Sequence, residues 1–493
     1  VYIRERNLAA PIAPNSQADA VGAAVGHFAS GPESPVLISS WFEFVRRFGG
    51  YDSAFPATFG IGQFFRNGGT SLFVRRVLGA DAAAASTSIP AATTGTIGSV
   101  TAKNKGLDGN RLRVQFTEGV SVAGVPSYNL DVYVETGADV GTSDDELVER
   151  YPNIVLTDAA SNDFVSTVVN EESAYITVTI QNANTLAPGA GVLPLVSGSN
   201  GNKALPAAFA AALEDFESLT SPLVLFAPEI IKDLGLSDGA AVHDALVSWV
   251  GNYDGFAVID TPPALTVPAA KSYATSRGSS ANSAVYYPNV FIQDPLGRNA
   301  SSRRLVGPAG AVAGLYLATD LQFGPFKSPA GLRSALGGAI AIERRFTNAE
   351  LDEINGGSFP LNAIRDIPGA GVVVMGGRTL KQDGTANRYV STRRSLLFIR
   401  NRLQEIAQFA LFEANDERLW GRLRTSLGVF LNEYRNQGGL AGVLPDDAFF
   451  VKCDSETNSS VSIANGEVNI QVGVALQYPA EFIVINLSQK TGE

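Results

Sequence analysis

The hydrophobic period of this chain changes along its length, and that change restricts the fold more than any other feature. From about residue 93 to 196 the apolar residues recur at every second position. Leu112, Val114 and Phe116 share one face, as do Leu130, Val132 and Val134, and Ile176, Val178 and Ile180. Turn clusters separate these runs, which predicts a small β-rich unit. An Ala/Ser/Thr-rich stretch at 80–92 leads into it, as a linker would.

The flanks read differently. SWFEFVRRFGG and FGIGQFFRNGG are helix patterns, the second ending at a glycine pair, and SLFVRRVL is a strand pattern. After SGSNGNKALP the same texture returns: AAFAAALEDF as helix, PLVLFAP as buried strand, AAVHDALVSWVGN as helix and FAVIDTPP as strand. Such alternation favours a sheet covered by helices. The expected fold class is therefore α/β (α+β), multidomain, with the flanks forming one α/β body interrupted by the β-rich insert. A chain of 493 residues is too long for a single core.

The last quarter pairs two long helix patterns with strand patterns. The first helix is expected over about 392–412. The second is expected to start at an Asn415 cap, with Asp416 and Glu417 complementing the dipole of its first turn. Its apolar stripe, Leu419/Trp420, Leu423, Leu427, Phe430/Leu431 and Tyr434, keeps a three-to-four spacing. NIQVGVAL and EFIVINL follow as strands. Between Gly376 and Asn436 stand 11 Lys and Arg against 6 acids, a local charge of +5 in a chain of −11. A basic module on an acidic body implies a surface that meets another charged surface.

Several chemistries lack their residues. The lone Cys453 excludes an intrachain disulfide and a thiolate cluster, and its apolar setting reads as buried. His27 and His243 are the only histidines, each in an apolar pattern without ligand-spaced carboxylates, so both read as structural and no metal site is expected. SGSNGNK fails the phosphate-loop spacing, because Lys203 is followed by Ala204 and no hydroxyl awaits a cation. GAGVVV lacks the third glycine of a dinucleotide fingerprint, and Asp260 reads as an ordinary strand end. No apolar run approaches the ~18 residues of a membrane helix. Nor is there a basic-then-apolar leader; the opening Val reads as a trimmed start. The net charge argues against nucleic acid as a direct partner. An enzyme is not expected, and neither is a cofactor.

One resemblance runs through most of the chain. GAGVVVMGGRTL, RYVSTRRSLLFIRNRLQEI, FEANDERLWGRLRTSLGVFLNEY, AFFVKCD and YPAEFIVINLS, in that order, resemble the C-terminal domain of contractile tail sheath proteins. VYIRER is similar to the start of sheath N-terminal arms. GHFASGPESPVLISSWFEFVRRFGG with FFRNGGTSLFVRRV resembles their following segment. The similarity covers about 1–79 and 200–493. In the insert only the LDGNRLRV turn takes part.

The resemblance implies a structural subunit that stacks as hexameric rings around an inner tube and contracts to drive the tube through a target envelope. It implies as partners further copies of the chain, the tube protein, and baseplate and neck or terminator proteins. It implies a place in a phage tail, assembled in the host cytoplasm, or in a contractile injection particle. The expected division is an N-terminal arm at 1–20, a middle α/β domain from 21–79 and 200–365, an inserted β-rich outer domain at 80–199, and a C-terminal sheath core at 366–493 ending in an arm. Val1, Tyr2, Ile3 and Arg4, and Phe482, Ile483, Val484, Ile485 and Leu487, are the expected inter-subunit strands, suited to strand addition. Gly22, Gly26, Pro11 and Pro14 are candidate hinge positions. Arg418, Arg422 and Arg424 are the expected tube-facing residues. The alternative from a different class is a receptor- or glycan-binding tail protein that acts through the β-rich insert.

Overall fold

Val21–Gly26, the run VGAAVG, is a parallel strand held between Leu72–Arg76 and Leu223–Phe226. The two flanks of the insert therefore meet in one sheet. That sheet, in a computed structural model describing residues 20–121, 125–135, 145–181, 187–219, 222–355, 361–381 and 385–479, has eight strands. In spatial order they are Gly371–Val374, Asn362–Ile367, Ser283–Tyr287, Gly255–Asp260, Leu223–Phe226, Val21–Gly26, Leu72–Arg76 and Val36–Ile38. The inner six run parallel, and each edge strand pairs antiparallel with its neighbour.

Burial on both faces explains why these strands read as continuous apolar runs. Ala24 faces a core with Phe64, Phe226, Val312 and Tyr316, whereas Ala23 and Val25 face one with Phe209, Leu246 and Trp249. Ser283–Tyr287 is a central strand that the sequence reading passed over. Tyr286 and Tyr287 are fully buried on opposite faces.

Gly22 and Gly26 are not hinges. Both lie within the Val21–Gly26 strand, where a Cβ would come within 2.8 Å of Leu72 and Phe64 at the first and 3.0 Å of Ala57 at the second. They are small because the Ala57–Arg66 helix and its neighbours press on the sheet. The same helix packs on Ala309–Phe323 through residues four apart. A Cβ on Gly310 would lie 2.1 Å from the Gly60 carbonyl, and one on Gly314 would lie 2.2 Å from the Phe64 carbonyl. The two backbones touch, so no side chain fits between them.

The insert forms two sheets over one core. Ser86–Pro90, Thr96–Ala102 and Ile176–Ile180 make one, and Val192–Pro194, Leu112–Glu118, Tyr128–Glu135 and Asp145–Ile154 the other. Their inward residues include Val100, Val114, Phe116, Leu130, Val132, Ile176 and Val178, the alternating sets of the sequence. A helix, Val165–Glu172, also packs there through Val165 and Val169, which lie four apart on one face. Its β-branched composition hid it from a propensity reading.

Arg76 ties the insert to the body. It is fully buried, yet among the described residues it pairs with no carboxylate. Its guanidinium donates to the carbonyls of Phe28 (3.0 Å), Ala29 (2.8 Å) and Gly31 (2.9 Å) in the body. It also donates to the Lys105 carbonyl (2.8 Å) and Asn200 Oδ1 (2.8 Å) at the insert's base. Burial pushes its pKa down to about 10; five well-placed acceptors keep the cation satisfied.

Candidate assembly surface

The final module is built on two helices, Val390–Ala407 and Glu417–Asn436. The second starts one residue later than expected. Asp416, not Asn415, is its cap: Asp416 Oδ1 accepts from the backbone N–H groups of Arg418 and Leu419, both at 3.0 Å. Those bonds hold the Asp416 carboxyl below its usual pKa. Asn415 instead accepts from the Trp420 indole at 2.8 Å and donates to the Glu467 carbonyl. An ionised carboxylate suits the positive end of a helix better than an amide does.

The stripe read from the sequence is the buried face. Leu419, Trp420, Leu423, Leu427, Phe430, Leu431 and Tyr434 are all buried. Phe430, Leu431 and Tyr434 pack on Phe398 and Ile399 of the first helix. Leu419, Trp420 and Leu423 pack on Cys453, which is fully buried as its setting implied. Phe449–Lys452 and Gln471–Val474 add a two-stranded antiparallel sheet beneath. The strand Gly371–Val374, which opens this part of the sequence, belongs to the edge of the eight-stranded sheet.

The opposite face of the second helix carries Arg418, Arg422, Thr425 and Val429, spaced by four, three and four residues, all exposed. The Arg418 side chain is 91% accessible and pairs with Asp416; that of Arg422 is 58% accessible and lies over the Phe409 ring. The third expected arginine is elsewhere. Arg424 follows Arg422 by two residues, about 200° around a helix. It donates to the Cys453 carbonyl and, at 2.7 Å, to Glu417. The structure brings Arg418 and Arg422 together and sets Arg424 apart; their spacing alone carried that signal. The expected arm strands Val1, Tyr2, Ile3 and Arg4, and Phe482, Ile483, Val484, Ile485 and Leu487, lie outside the described residues.

Large apolar side chains are also exposed on this module: Leu411, Phe412, Val429, Val443, Leu444, Phe450, Val461 and Tyr478. Phe412 stands at the tip between the helices with φ +63°, a conformation costly for a non-glycine residue.

Residues that chemistry would need are occupied structurally. His27 Nδ1 meets Asp233 Oδ2 at 2.5 Å, and its Nε2 accepts from the Ala204 N–H. Lys203, of the glycine-rich loop, pairs with the same Asp233. Burial raises the Asp233 pKa, but bonds from His27 and Lys203 outweigh it and the net shift is downward. His243 bonds Tyr273 at 2.7 Å, and burial pushes its pKa down to about 3, so it stays neutral. Asp260 accepts from the Ala309 N–H at 2.5 Å, capping Ala309–Phe323; burial, with Glu229 nearby, lifts it to about 8. Among the described residues no three His, Cys, Asp or Glu side chains converge as a metal site. No described helix is long and apolar enough to cross a membrane.

The second module helix thus presents an exposed Arg418–Arg422 stripe, while the histidines, Lys203, Asp233 and Asp260 are bonded within the chain. Residues 382–490 match the phage tail sheath C-terminal domain. A 184-residue stretch, 37% of this chain, is 27% identical to the tail sheath protein of Vibrio phage KVP40 and spans 26% of that protein's length. The fold is similar along nearly the whole chain to solved structures. One is the sheath complex of an extracellular contractile injection system, PVC, in its contracted state (TM-score 0.62, 20% identity, 99% of this chain and 97% of that one). Another is a sheath tail protein from Listeria innocua (TM-score 0.64, 16% identity, 94% and 96%). A chain of the anti-feeding prophage baseplate is similar too (TM-score 0.60, 22% identity, 100% and 98%). Residues 382–490 thus carry a phage tail sheath C-terminal domain, and the fold of nearly the whole chain is the one these sheath structures share.

Proposed function

We propose that this chain is the sheath subunit of a contractile tail or injection particle. Copies polymerise as stacked hexameric rings around an inner tube, meet baseplate and neck proteins at the ends, and contract to drive the tube through an envelope. The observation that carries this reading is the Arg418–Arg422 stripe, exposed on a helix whose other face is buried in the module's own core. No catalytic group is needed, because the work comes from a lattice with two packings of the same subunits.

In this reading the tube is acidic where it meets Arg418 and Arg422. Each exposed ion pair contributes only ~0–1 kcal/mol. Weak contacts repeated along a sheath hold the extended state and still release on contraction. Arg424 instead ties the second module helix to the Cys453 carbonyl, just beyond the Phe449–Lys452 strand. Residues 1–20 and 480–493 act as arms that add strands to neighbouring copies, with main-chain hydrogen bonds as the tether. Residues 21–79 with 200–365 form the middle domain, 80–199 the outer insert and 366–493 the sheath core. Tyr175 is the exposed aromatic of the insert among the described residues, so little there favours glycan stacking.

Negative-stain electron microscopy of the purified chain tests this. Contracted sheath-like tubes are expected from the full chain, and folded but dispersed particles after deletion of either arm. Dispersed monomers from the full chain, or normal tubes from both deletions, would overturn the reading.

A further inference from the structure

Asparagine followed by glycine occurs at Asn67–Gly68, Asn200–Gly201, Asn355–Gly356 and Asn465–Gly466. Such a pair carries its own chemistry. The glycine has no Cβ, so its backbone nitrogen can approach the preceding side-chain amide closely. The nitrogen loses its proton and bonds to Cγ, the Cγ–Nδ2 bond breaks, and ammonia leaves with that proton. Water then opens the resulting succinimide at either carbonyl, which gives aspartate or isoaspartate. The reaction needs an amide that is free to turn and a glycine nitrogen that is free to attack. The tertiary structure decides both for each pair.

Asn67 is locked. It is 8% exposed, its Nδ2 donates to the carbonyls of Gln63 (2.8 Å) and Gly337 (3.2 Å), and its Oδ1 accepts from the Gly337 N–H (2.7 Å). A Cβ on Gly68 would fall 2.8 Å from Ala318, so the glycine is pressed against the Ala309–Phe323 helix as well. Asn200 is locked by a different route. Its Oδ1 accepts from the buried Arg76 guanidinium at 2.8 Å and from the Leu107 N–H at 3.0 Å. The Gly201 N–H donates to Ser199 Oγ at 3.0 Å. Gly356 lies outside the described residues.

Asn465 is not held in this way. It and Gly466 are exposed, and among the described residues no group bonds the Asn465 side chain. Nothing lies within 4 Å of where a Gly466 Cβ would stand. Asn465 closes the short helix Ser460–Ala464, and the Gly466 N–H reaches the Ile463 carbonyl at 3.0 Å. That bond sits at a helix end, the part of a fold that opens at least cost. The pair also adjoins the root of the arginine-bearing helix, because Asn415 donates to the Glu467 carbonyl and accepts from the Trp420 indole.

We propose that Asn465 is a self-modification site, converted through a succinimide with Gly466 to aspartate and isoaspartate while Asn67 and Asn200 stay intact. The product adds a negative charge to the basic module. Isoaspartate also routes the main chain through Cβ just before Glu467. The inference stands apart from tube formation, since the reaction needs only one chain and water.

Ageing of the purified full chain in mildly alkaline buffer tests it, with peptide mapping by mass spectrometry that separates aspartate from isoaspartate. Asn465 should convert about a hundredfold faster than Asn67 or Asn200, the equivalent of ~2.8 kcal/mol of extra opening at the locked pairs. In urea, where the locks are gone, the pairs should convert at similar rates. Asn465→Gln, whose longer side chain must close a larger ring, should abolish the change at that position and leave the other pairs as they were. Conversion at Asn67 or Asn200 that keeps pace with Asn465, or an Asn465 that stays unmodified, would overturn the proposal. So would the same ranking in urea, since local sequence rather than the fold would then set it.

Discussion

Arg394 and Asp320 form a two-pronged ion pair between module and body, with side chains only 5% and 2% exposed. Arg394 Nη1 donates to Asp320 Oδ1 at 2.9 Å, and Nη2 donates to Oδ2. The guanidinium also lies 4.6 Å from the centre of the Tyr316 ring, and the Tyr316 hydroxyl meets that of Tyr286 at 2.5 Å. On the next residue, Ser395 Oγ meets the Tyr434 hydroxyl at 2.7 Å. One turn of the first module helix thus bonds to the Ala309–Phe323 helix and to the second module helix. Burial raises the Asp320 pKa even with Arg394 beside it. The pair fixes position more than it adds stability.

Arg394→Met leaves a buried carboxylate without its partner and should cost about 3–5 kcal/mol in urea unfolding. The double change Arg394→Met with Asp320→Leu should recover most of that loss. If the double variant were as unstable as the single one, the uncompensated charge would not be the cause.

Arg76→Met removes five hydrogen bonds at once and strands the acceptors of Phe28, Ala29, Gly31, Lys105 and Asn200. Each buried unsatisfied acceptor costs about 1–3 kcal/mol, so a loss of at least about 3 kcal/mol is expected. Limited proteolysis should then cut at the junctions of the insert first. An unchanged cleavage pattern would show that the insert is held by other contacts.

Asp260 gives stability a pH dependence of definite sign. Its folded pKa of about 8 lies above the unfolded value of 3.8, so the native state binds the extra proton between those limits. Its contribution is therefore present at low pH and lost as pH rises toward 8, at no more than about 1.4 kcal/mol per pH unit. His243 acts oppositely: with a folded pKa of about 3 against 6.5, it costs stability as pH falls below 6.5. Asp260→Asn keeps an acceptor for the Ala309 N–H and should flatten the fall between pH 6.5 and 8 in urea midpoints. A variant curve parallel to the parent's would contradict the assignment.

Gly314→Val places a side chain where a Cβ already falls 2.2 Å from the Phe64 carbonyl. Separation of the two buried helices should cost about 1–3 kcal/mol or more. Gly428→Ala on the exposed side of the second module helix meets nothing within 4 Å. There the change should stabilise by up to about 1 kcal/mol through helix propensity. Thermal denaturation of the two variants should move in opposite directions.

Arg418→Glu with Arg422→Glu should leave the folded monomer intact, since both side chains are more than half exposed. Extended sheath on tubes should be lost, as read by microscopy of co-assembled particles. Arg424→Glu should instead lower monomer stability by breaking the Cys453 and Glu417 contacts. Extended assembly by the double variant would remove these arginines from the tube-facing surface.

The sequence by itself determined what depends on near neighbours. The stripe from Leu419 to Tyr434 was legible because a helix turns every 3.6 residues, and the alternating sets at 112–134 because a strand turns every two. The starts of the two module helices were legible to within two residues, with the Asp416 cap misplaced by one, whereas the first of them ends at Ala407, five residues short of its expected end. The tertiary structure alone decided which segments meet. Ser283–Tyr287 lies inside the sheet because Gly255–Asp260 and Asn362–Ile367 pair with it, not because its own pattern stands out. Gly22 and Gly26 looked like hinges until a helix was seen to press on them. Arg394 and Asp320 are 74 residues apart, and no local period links them. Periodicity reports which face of an element is apolar. The partner that covers this face is set by long-range packing, and that packing leaves Arg418 and Arg422 outside while drawing Arg394 in.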